Sequence, residues 1–225
     1  VVWDFIGGEP FLEIDLIDQI CDYLKKEMFS RNHHWFDSYR FNFSTNGINF
    51  NSEKVQQFVK KNLEHISVGI TIDGTQRKHD LNRVYKNTGK GSYLDVVKNI
   101  PIWLKEIPGA STKVTISSAD IPYIKESVLH LYSLGIHEVN INCVFENVWN
   151  EGDDKKFEEQ LLELADAIID GGLYKDYACS FYQDSIGRSL DPIKENNNWC
   201  GAGMMLSIDA AGNFYPCTRF AAYSL

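Results

Sequence analysis

Three things are scarce in this chain, and each scarcity closes off a class of function. Positive charge is short: Lys and Arg number 22 against 31 Asp and Glu, a net charge of −9, so a nucleic acid recruited by phosphate neutralisation finds no overall field. Long apolar runs are missing: no window approaches the roughly 20 apolar residues of a membrane span, and no basic start with an apolar run marks a signal peptide. A soluble cytoplasmic protein, with no nucleic acid and no membrane as partner, is the expectation. Cysteines come in an odd number, five, at positions 21, 143, 179, 200 and 217. Without a secretion signal they favour free thiols or metal ligands over a disulfide framework. Cys21, within a helical spacing of apolar residues, and Cys143, at a strand end, read as core fillers.

What is present suits one globular domain with a core and a small appendage: 225 residues, 44% of them hydrophobic. The chain opens on Val1-Val2-Trp3-Asp4-Phe5-Ile6, a β-branched and aromatic run without a methionine, and stops as abruptly at Ala222-Tyr223-Ser224-Leu225. It reads as an excerpt of a longer protein.

Strand-like and helix-like runs alternate in the manner of parallel βαβ units. Strands are expected at 1–6, 39–45, 67–72, 112–117 and 138–143. Helices are expected at 13–28, with Leu16, Ile17, Ile20 and Leu24 on one face, and at 52–63, capped by Ser52. Further helices are expected at 93–107, where Pro101 marks a kink or a first turn, at 122–134, begun by Pro122 and stopped by Gly135, and at 153–169. Five β/α pairs suit a doubly wound sheet or a barrel, and composition does not choose between them. From Leu173 the beat breaks and the stretch through Asn198 reads as a linker. Residues 204–215 read as a β-hairpin turning at 209–213, bracketed by Cys200 and Cys217.

Candidate chemistry gathers at the strand ends. Gly7-Gly8-Glu9-Pro10 joins the first strand to a helix, where glycines let a ligand approach the backbone and the helix offers free N–H groups. It is also an ordinary tight turn. Ser44-Thr45-Asn46-Gly47, Thr71-Ile72-Asp73-Gly74 and Ser117-Ser118-Ala119-Asp120 repeat the theme at the C-terminal strand edge, where parallel α/β folds bind ligands. Each alone is an ordinary turn former. Cys200 and Cys217 suit two thiolates converging on a metal or cluster from the ends of one hairpin, or two unpaired thiols.

The order of Gly7-Gly8-Glu9-Pro10, Thr45-Asn46-Gly47, Gly69-Ile70-Thr71-Ile72-Asp73-Gly74 with His79-Asp80 and Arg83, and Gly89-Lys90-Gly91-Ser92-Tyr93 resembles that of radical S-adenosylmethionine (SAM) enzymes with SPASM domains. Cys200-Gly201-Ala202-Gly203 through Gly212-Asn213-Phe214-Tyr215-Pro216-Cys217 resembles the SPASM opening. The resemblance implies an α/β fold: a partial (β/α)6 radical SAM barrel over 1–172, a linker over 173–198, and from 199 to 225 the start of a small iron-sulfur SPASM domain. It implies S-adenosylmethionine held by Gly7, Gly8, Glu9, Pro10, Thr45, Asn46, Thr71 and Asp73, with the GGEP segment at the methionine amino group. It also implies an auxiliary 4Fe-4S cluster on Cys200 and Cys217. The three-cysteine loop of the radical-generating cluster is expected before Val1, since no such triplet occurs in this chain.

The activity so implied is a peptide maturase, forming thioether cross-links from cysteine sulfur in a ribosomal precursor peptide, with a reductant such as flavodoxin or ferredoxin. Sulfatase maturases resemble the pattern too. There an aspartate base follows the second SPASM cysteine, where this chain has Thr218, and Thr218-Arg219-Phe220 resembles the peptide-modifying branch. An oxidase of protein side chains, a carbon–carbon cross-linker, and a non-catalytic α/β binding module with merely buried cysteines are the alternatives.

Overall fold

The computed structural model describes residues 1–107, 109–184, 186 and 204–221. The chain divides into two compact units, Val1–Gln183 and Asp184–Leu225.

The first unit is built on a parallel sheet of β1 (Val2–Phe5), β2 (Arg40–Thr45), β3 (Ile66–Thr71), β4 (Ser111–Ile116), β5 (Glu138–Cys143) and β6 (Ala178–Cys179). The strand order follows the sequence, β1-β2-β3-β4-β5-β6, with no reversal midway. A doubly wound sheet would reverse; a barrel grows in this way. The helices between the strands are α1 (Ile14–Ser30), α2 (Glu53–Lys61), α3 (Gln76–Asn82), α4 (Tyr93–Val97), α5 (Ile100–Glu106), α6 (Ile124–Ser133) and α7 (Asp153–Asp170).

The strands alternate strictly. Phe41, Phe43 and Thr45 of β2, Ile66, Val68 and Ile70 of β3, Thr112, Val114 and Ile116 of β4, and Val139 and Ile141 of β5 are buried. The apolar ones share one core with Ile17 and Cys21 of α1, Val55 and Phe58 of α2, Trp103 of α5, Leu131 of α6 and Leu164 of α7. Phe43 anchors it, stacked on Phe5 at 4.9 Å and edge-on to Phe58 at 5.5 Å. The intervening residues form a polar face, and the parallel register aligns them in rows: Asp4 beside Asn42 and Ser67, Ser44 beside Gly69, and Thr71 beside Lys113 and Asn140.

The pairing of β3 with β4 spans two residue pairs, Ile70 with Thr112 and Thr71 with Lys113. Below it, the buried indole of Trp103 donates to the Val68 carbonyl at 2.8 Å. The Thr112 hydroxyl likewise donates to the Ile70 carbonyl at 2.7 Å. Both satisfy buried backbone acceptors at the join.

Several sequence expectations are corrected. The buried stripe of α1 is Ile14, Ile17, Cys21 and Met28, while Leu16 is 53% and Ile20 38% exposed. A cysteine and a methionine hold positions a count of leucines overlooks. The stretch 93–107 is two helices, and Pro101 lies in the first turn of the second, where its missing N–H costs nothing. Pro122 sits inside a 3₁₀ turn, Ser118–Tyr123, and the α-helix follows it at Ile124. Between β3 and the stretch 93–107, α3, capped by Thr75, forms where no helix is expected. The stretch from Leu173, read as a linker, carries β6, which pairs with β5.

The second unit contains β7 (Ser207–Ile208) and β8 (Phe214–Tyr215), an antiparallel hairpin as expected, and α8 (Thr218–Ala221). Asp209 organises its turn, accepting from the Ala211 and Asn213 amides at 2.9 Å each and from the Tyr215 hydroxyl at 2.9 Å. Its pKa is held down at about 2, first by the hydrogen bond from the Asn213 side-chain amide at 2.9 Å and then by the Asn213 backbone amide, with the Tyr215 hydroxyl and the Ala211 amide adding to it. Among the described residues no helix is long and apolar enough to cross a membrane.

The crossing of the β3 end against α6 admits only glycine. Gly74 has φ +131°, and a Cβ there would lie 2.2 Å from both Cβ and Oγ of Ser127. Gly74→Ala is expected to cost about 3 kcal/mol of unfolding free energy in urea titration. The Ser127 hydroxyl is buried without a partner, so Ser127→Ala is expected to be neutral or stabilising, by up to about 1 kcal/mol.

Candidate functional site

Two carboxylates organise the C-terminal edge of the sheet. The first is Glu9. Gly7 and Gly8 precede it at φ +90° and +51°, a left-handed backbone that glycine adopts without strain. A Cβ on either would meet nothing within 4 Å, so the turn lies open to a ligand. Glu9 Oε1 accepts from the Phe11 amide at 3.1 Å and from the Thr45 hydroxyl at 2.6 Å, and Oε2 from the Asn46 amide at 2.7 Å. Pro10 is buried and opens the 3₁₀ turn that follows. Thr45 is buried and accepts from the Gly47 amide at 3.1 Å, while Asn46 Oδ1 accepts from the Ile48 amide at 2.9 Å. Asn99, the N-cap residue of α5, donates to the Gly47 and Ile48 carbonyls at 2.8 and 3.0 Å. The GGEP turn and the end of β2 are thus one hydrogen-bonded body.

The second carboxylate is Asp73, 2% exposed. Its Oδ1 accepts from the Thr115 amide of β4 at 2.9 Å, and its Oδ2 is paired with Arg83 Nε. The Asp73 amide donates to His79 Nδ1 at 3.2 Å, which leaves the ring proton on Nε2, 3.1 Å from the Ser92 hydroxyl. That hydroxyl donates on to the Arg83 carbonyl at 2.9 Å. Asp80 accepts from the Tyr93 amide at 2.9 Å, and a Cβ on Gly91 would lie 2.0 Å from its carboxyl carbon. His79, Asp80, Arg83, Gly91, Ser92 and Tyr93 therefore form a clasp that closes the loop between α3 and α4. Beneath it, Lys78 and Asp120, each 2% exposed, face each other at 3.3 Å, and Lys78 also donates to the Thr115 carbonyl at 2.8 Å.

Between the two bodies lies a cavity of about 650 Å³, whose walls include Glu9, Asn46, Asn49, Asn82, Arg83 and Lys86. Of the eight residues expected to hold a cofactor, Glu9 and Asn46 line it. Gly7, Gly8, Pro10 and Thr45 adjoin it through the Glu9 body. Thr71 and Asp73 do not line it: Thr71 is turned to the polar face of the sheet, and Asp73 serves the clasp. Asn49, Asn82 and Lys86 escaped sequence reasoning because they come from loop and helix segments with no motif of their own.

The thiols sort by burial. Cys21 is fully buried, its pKa pushed up to about 12, and burial also raises Cys143 and Cys179. Such thiols stay protonated and are poor metal ligands. Cys21 is a core filler as expected, whereas Cys143, at the end of β5, is only part-buried and lies outside the core cluster. Cys217, just ahead of α8, is half-buried and in no disulfide. Cys200 lies outside the described residues. Among the described residues no group of three or more His, Cys, Asp or Glu side chains converges as a metal site.

No family model matches the chain. It is 35% identical over 142 residues to an uncharacterised protein of Methanocaldococcus jannaschii, covering 62% of this chain and 45% of that one. It is 35% identical over 99 residues to a cysteine-type anaerobic sulfatase-maturating enzyme of Clostridium novyi, covering 44% of this chain and 24% of that enzyme. The structure of native anSMEcpe with bound AdoMet superposes with a TM-score of 0.62 at 18% identity, covering 80% of this chain and 50% of that one. The same protein with AdoMet and the Kp18Cys peptide gives 0.58. The chain thus spans half or less of the length of these relatives. Its fold is that of the radical SAM enzymes, a partial (β/α) barrel.

His79 makes the clasp sensitive to acid. Burial lowers its pKa from 6.5 to about 4, against the opposing pull of Asp73. The unfolded chain takes up a proton in that window and the folded chain does not, so stability is whole above pH 6.5 and is lost as pH falls toward 4. Between pH 7 and pH 5, urea unfolding is expected to show wild type losing about 2 kcal/mol more than His79→Gln.

Proposed function

We propose that this chain is the barrel portion of a radical SAM enzyme that modifies a side chain of a peptide or protein, with S-adenosylmethionine seated against the Glu9 body. The observation that carries this reading is the cavity walled by Glu9 and Asn46 beside an open, left-handed glycine pair. The residues fit the cofactor on chemical grounds. A carboxylate has about four acceptor positions, and Phe11, Thr45 and Asn46 fill three on Glu9. One remains for the methionyl ammonium, with the open backbone of Gly7 and Gly8 beside it. Asn46, Asn49 and Asn82 offer amides to the polar rim, and the Arg83 guanidinium, fixed through Nε by Asp73, presents its other nitrogens to an anionic group. When bound and reduced by a four-iron cluster, S-adenosylmethionine supplies hydrogen-atom abstraction from the substrate.

Glu9 then contacts the cofactor, and Thr45 and Asn99 act as positioning residues, holding the turn rigid so that binding orders little. In this reading Thr71, at the top of β3, stands between the cofactor and the polar face of the sheet. The second unit opens the SPASM domain, with Cys217 and Cys200 as two ligands of an auxiliary cluster and a flavodoxin or ferredoxin as reductant.

Of the two branches weighed, side-chain oxidation on the sulfatase-maturase pattern has the support of the likeness to anSMEcpe, a structure solved with a cysteine-bearing peptide, and of the Clostridium novyi enzyme. Thioether formation in a ribosomal precursor peptide stays as a second reading because Thr218 stands where the maturase pattern has its aspartate base.

In the full-length protein, assembled with its clusters without oxygen, Gly8→Val is expected to weaken S-adenosylmethionine binding at least about tenfold in calorimetric titration, while its backbone strain costs only about 2 kcal/mol of stability. Unchanged affinity would remove the GGEP turn from the cofactor site. The double variant Cys200→Ala, Cys217→Ala is expected to lose the iron and sulfide of one cluster and to retain S-adenosylmethionine cleavage. Parental iron content would make these two residues structural thiols.

A further inference from the structure

The polar face of the sheet holds a cation for which neither the fold nor the cofactor reading has a use. Lys113, at the middle of β4, points away from the core and is exposed. Its Nζ donates to the Ser44 hydroxyl two strands away at 2.7 Å, and none of the ion pairs among the described residues includes it. The other cation on this face in the strands, Arg40, is turned to the Ile66 carbonyl at 3.1 Å at the opposite edge. Parallel register sets Thr71 and Asn140 on either side of Lys113, and Gly69 beside Ser44 leaves the floor bare. None of Lys113, Ser44, Thr71 and Asn140 lines the cavity walled by Glu9 and Arg83, which has a cation of its own.

We propose that this face is the substrate trough and that Lys113 anchors a carboxylate of the peptide substrate, with Ser44, Thr71 and Asn140 as neutral partners. One lysine among hydroxyls and an amide matches one negative charge. Asp4 and Glu138 occupy the same face toward its ends, and they disfavour a doubly charged phosphate by like-charge repulsion. A chain of net charge −9 repels acidic peptides at long range, so an acidic substrate needs such a local anchor. The inference rests on the reading of the cavity as the cofactor seat, which makes the adjoining face the side from which substrate approaches.

The test uses the full-length, cluster-loaded protein and two probes: an acidic cysteine-containing peptide, and its counterpart with every carboxylate converted to an amide. Wild type is expected to bind the acidic peptide at least about tenfold more tightly, the worth of a hydrogen bond to a charged group. Lys113→Met should abolish that preference and Lys113→Arg should keep most of it. S-adenosylmethionine affinity should be equal in all three proteins. A preference that survives in Lys113→Met would overturn the anchor. So would a loss of S-adenosylmethionine affinity with the peptide preference intact, which would give Lys113 to the cofactor. If wild type bound no S-adenosylmethionine yet kept a Lys113-dependent peptide preference, the cofactor reading would fall and the anchor would stand.

Discussion

Each central strand of the large sheet must hide one face and leave the other wet. Phe41 and Phe43, Val68 and Ile70, Val114 and Ile116 need the helices; Asn42 and Ser44, Ser67, Lys113 and Thr115 cannot go under a second layer without losing their water. Ordinary parallel sheets are covered on both faces and read as unbroken apolar runs. A sheet that is apolar on one side only is covered on one side only, and the free face becomes the lining of a barrel. Strand order, helix placement and the existence of a polar trough all follow from that one constraint.

The second level of organisation is set by carboxylates that serve the chain itself. Glu9 binds the first βα turn to the end of β2, and Asp73 binds the end of β3 to the backbone of β4 and to Arg83. Both stand where strands end and backbone donors would otherwise be unpaired. A rigid rim results, with the cavity between its two parts. The Asp73 clasp also explains why His79, Asp80, Arg83, Gly91 and Ser92 occur as a set: each closes a bond or a space that another leaves open. A motif can be tightly ordered in sequence and yet carry structure more than chemistry.

The likeness to anSMEcpe concerns the barrel, since that chain is twice the length matched here. Under the proposed function, the choice between maturase and thioether chemistry would turn on Thr218 in the second unit and on substrate contacts along the polar face. Those contacts, as proposed, would come from mid-strand positions such as Lys113, away from the turns where the recognised motifs sit.

Much of this was legible from sequence. The five long strands, the GGEP turn, Gly135 past the end of α6 and the hairpin turning at Asp209 are local matters of periodicity and turn chemistry, which adjacent residues decide; Ser52 stands at the N-cap of α2 as expected but closes no side-chain cap bond. The alternation in Arg40-Phe41-Asn42-Phe43-Ser44-Thr45 and Ser111-Thr112-Lys113-Val114-Thr115-Ile116 even held the choice of barrel over doubly wound sheet, a signal that counting β/α pairs passes over. Tertiary structure alone decided the rest. That Asp73 faces Arg83 and the Thr115 amide while Glu9 faces the cavity depends on which strands lie side by side. That Lys113 reaches Ser44 across β3 depends on register. No spacing along the chain encodes either, because hydrogen bonds and charges act over a few ångströms, and residues 69 positions apart come that close only when the sheet has formed.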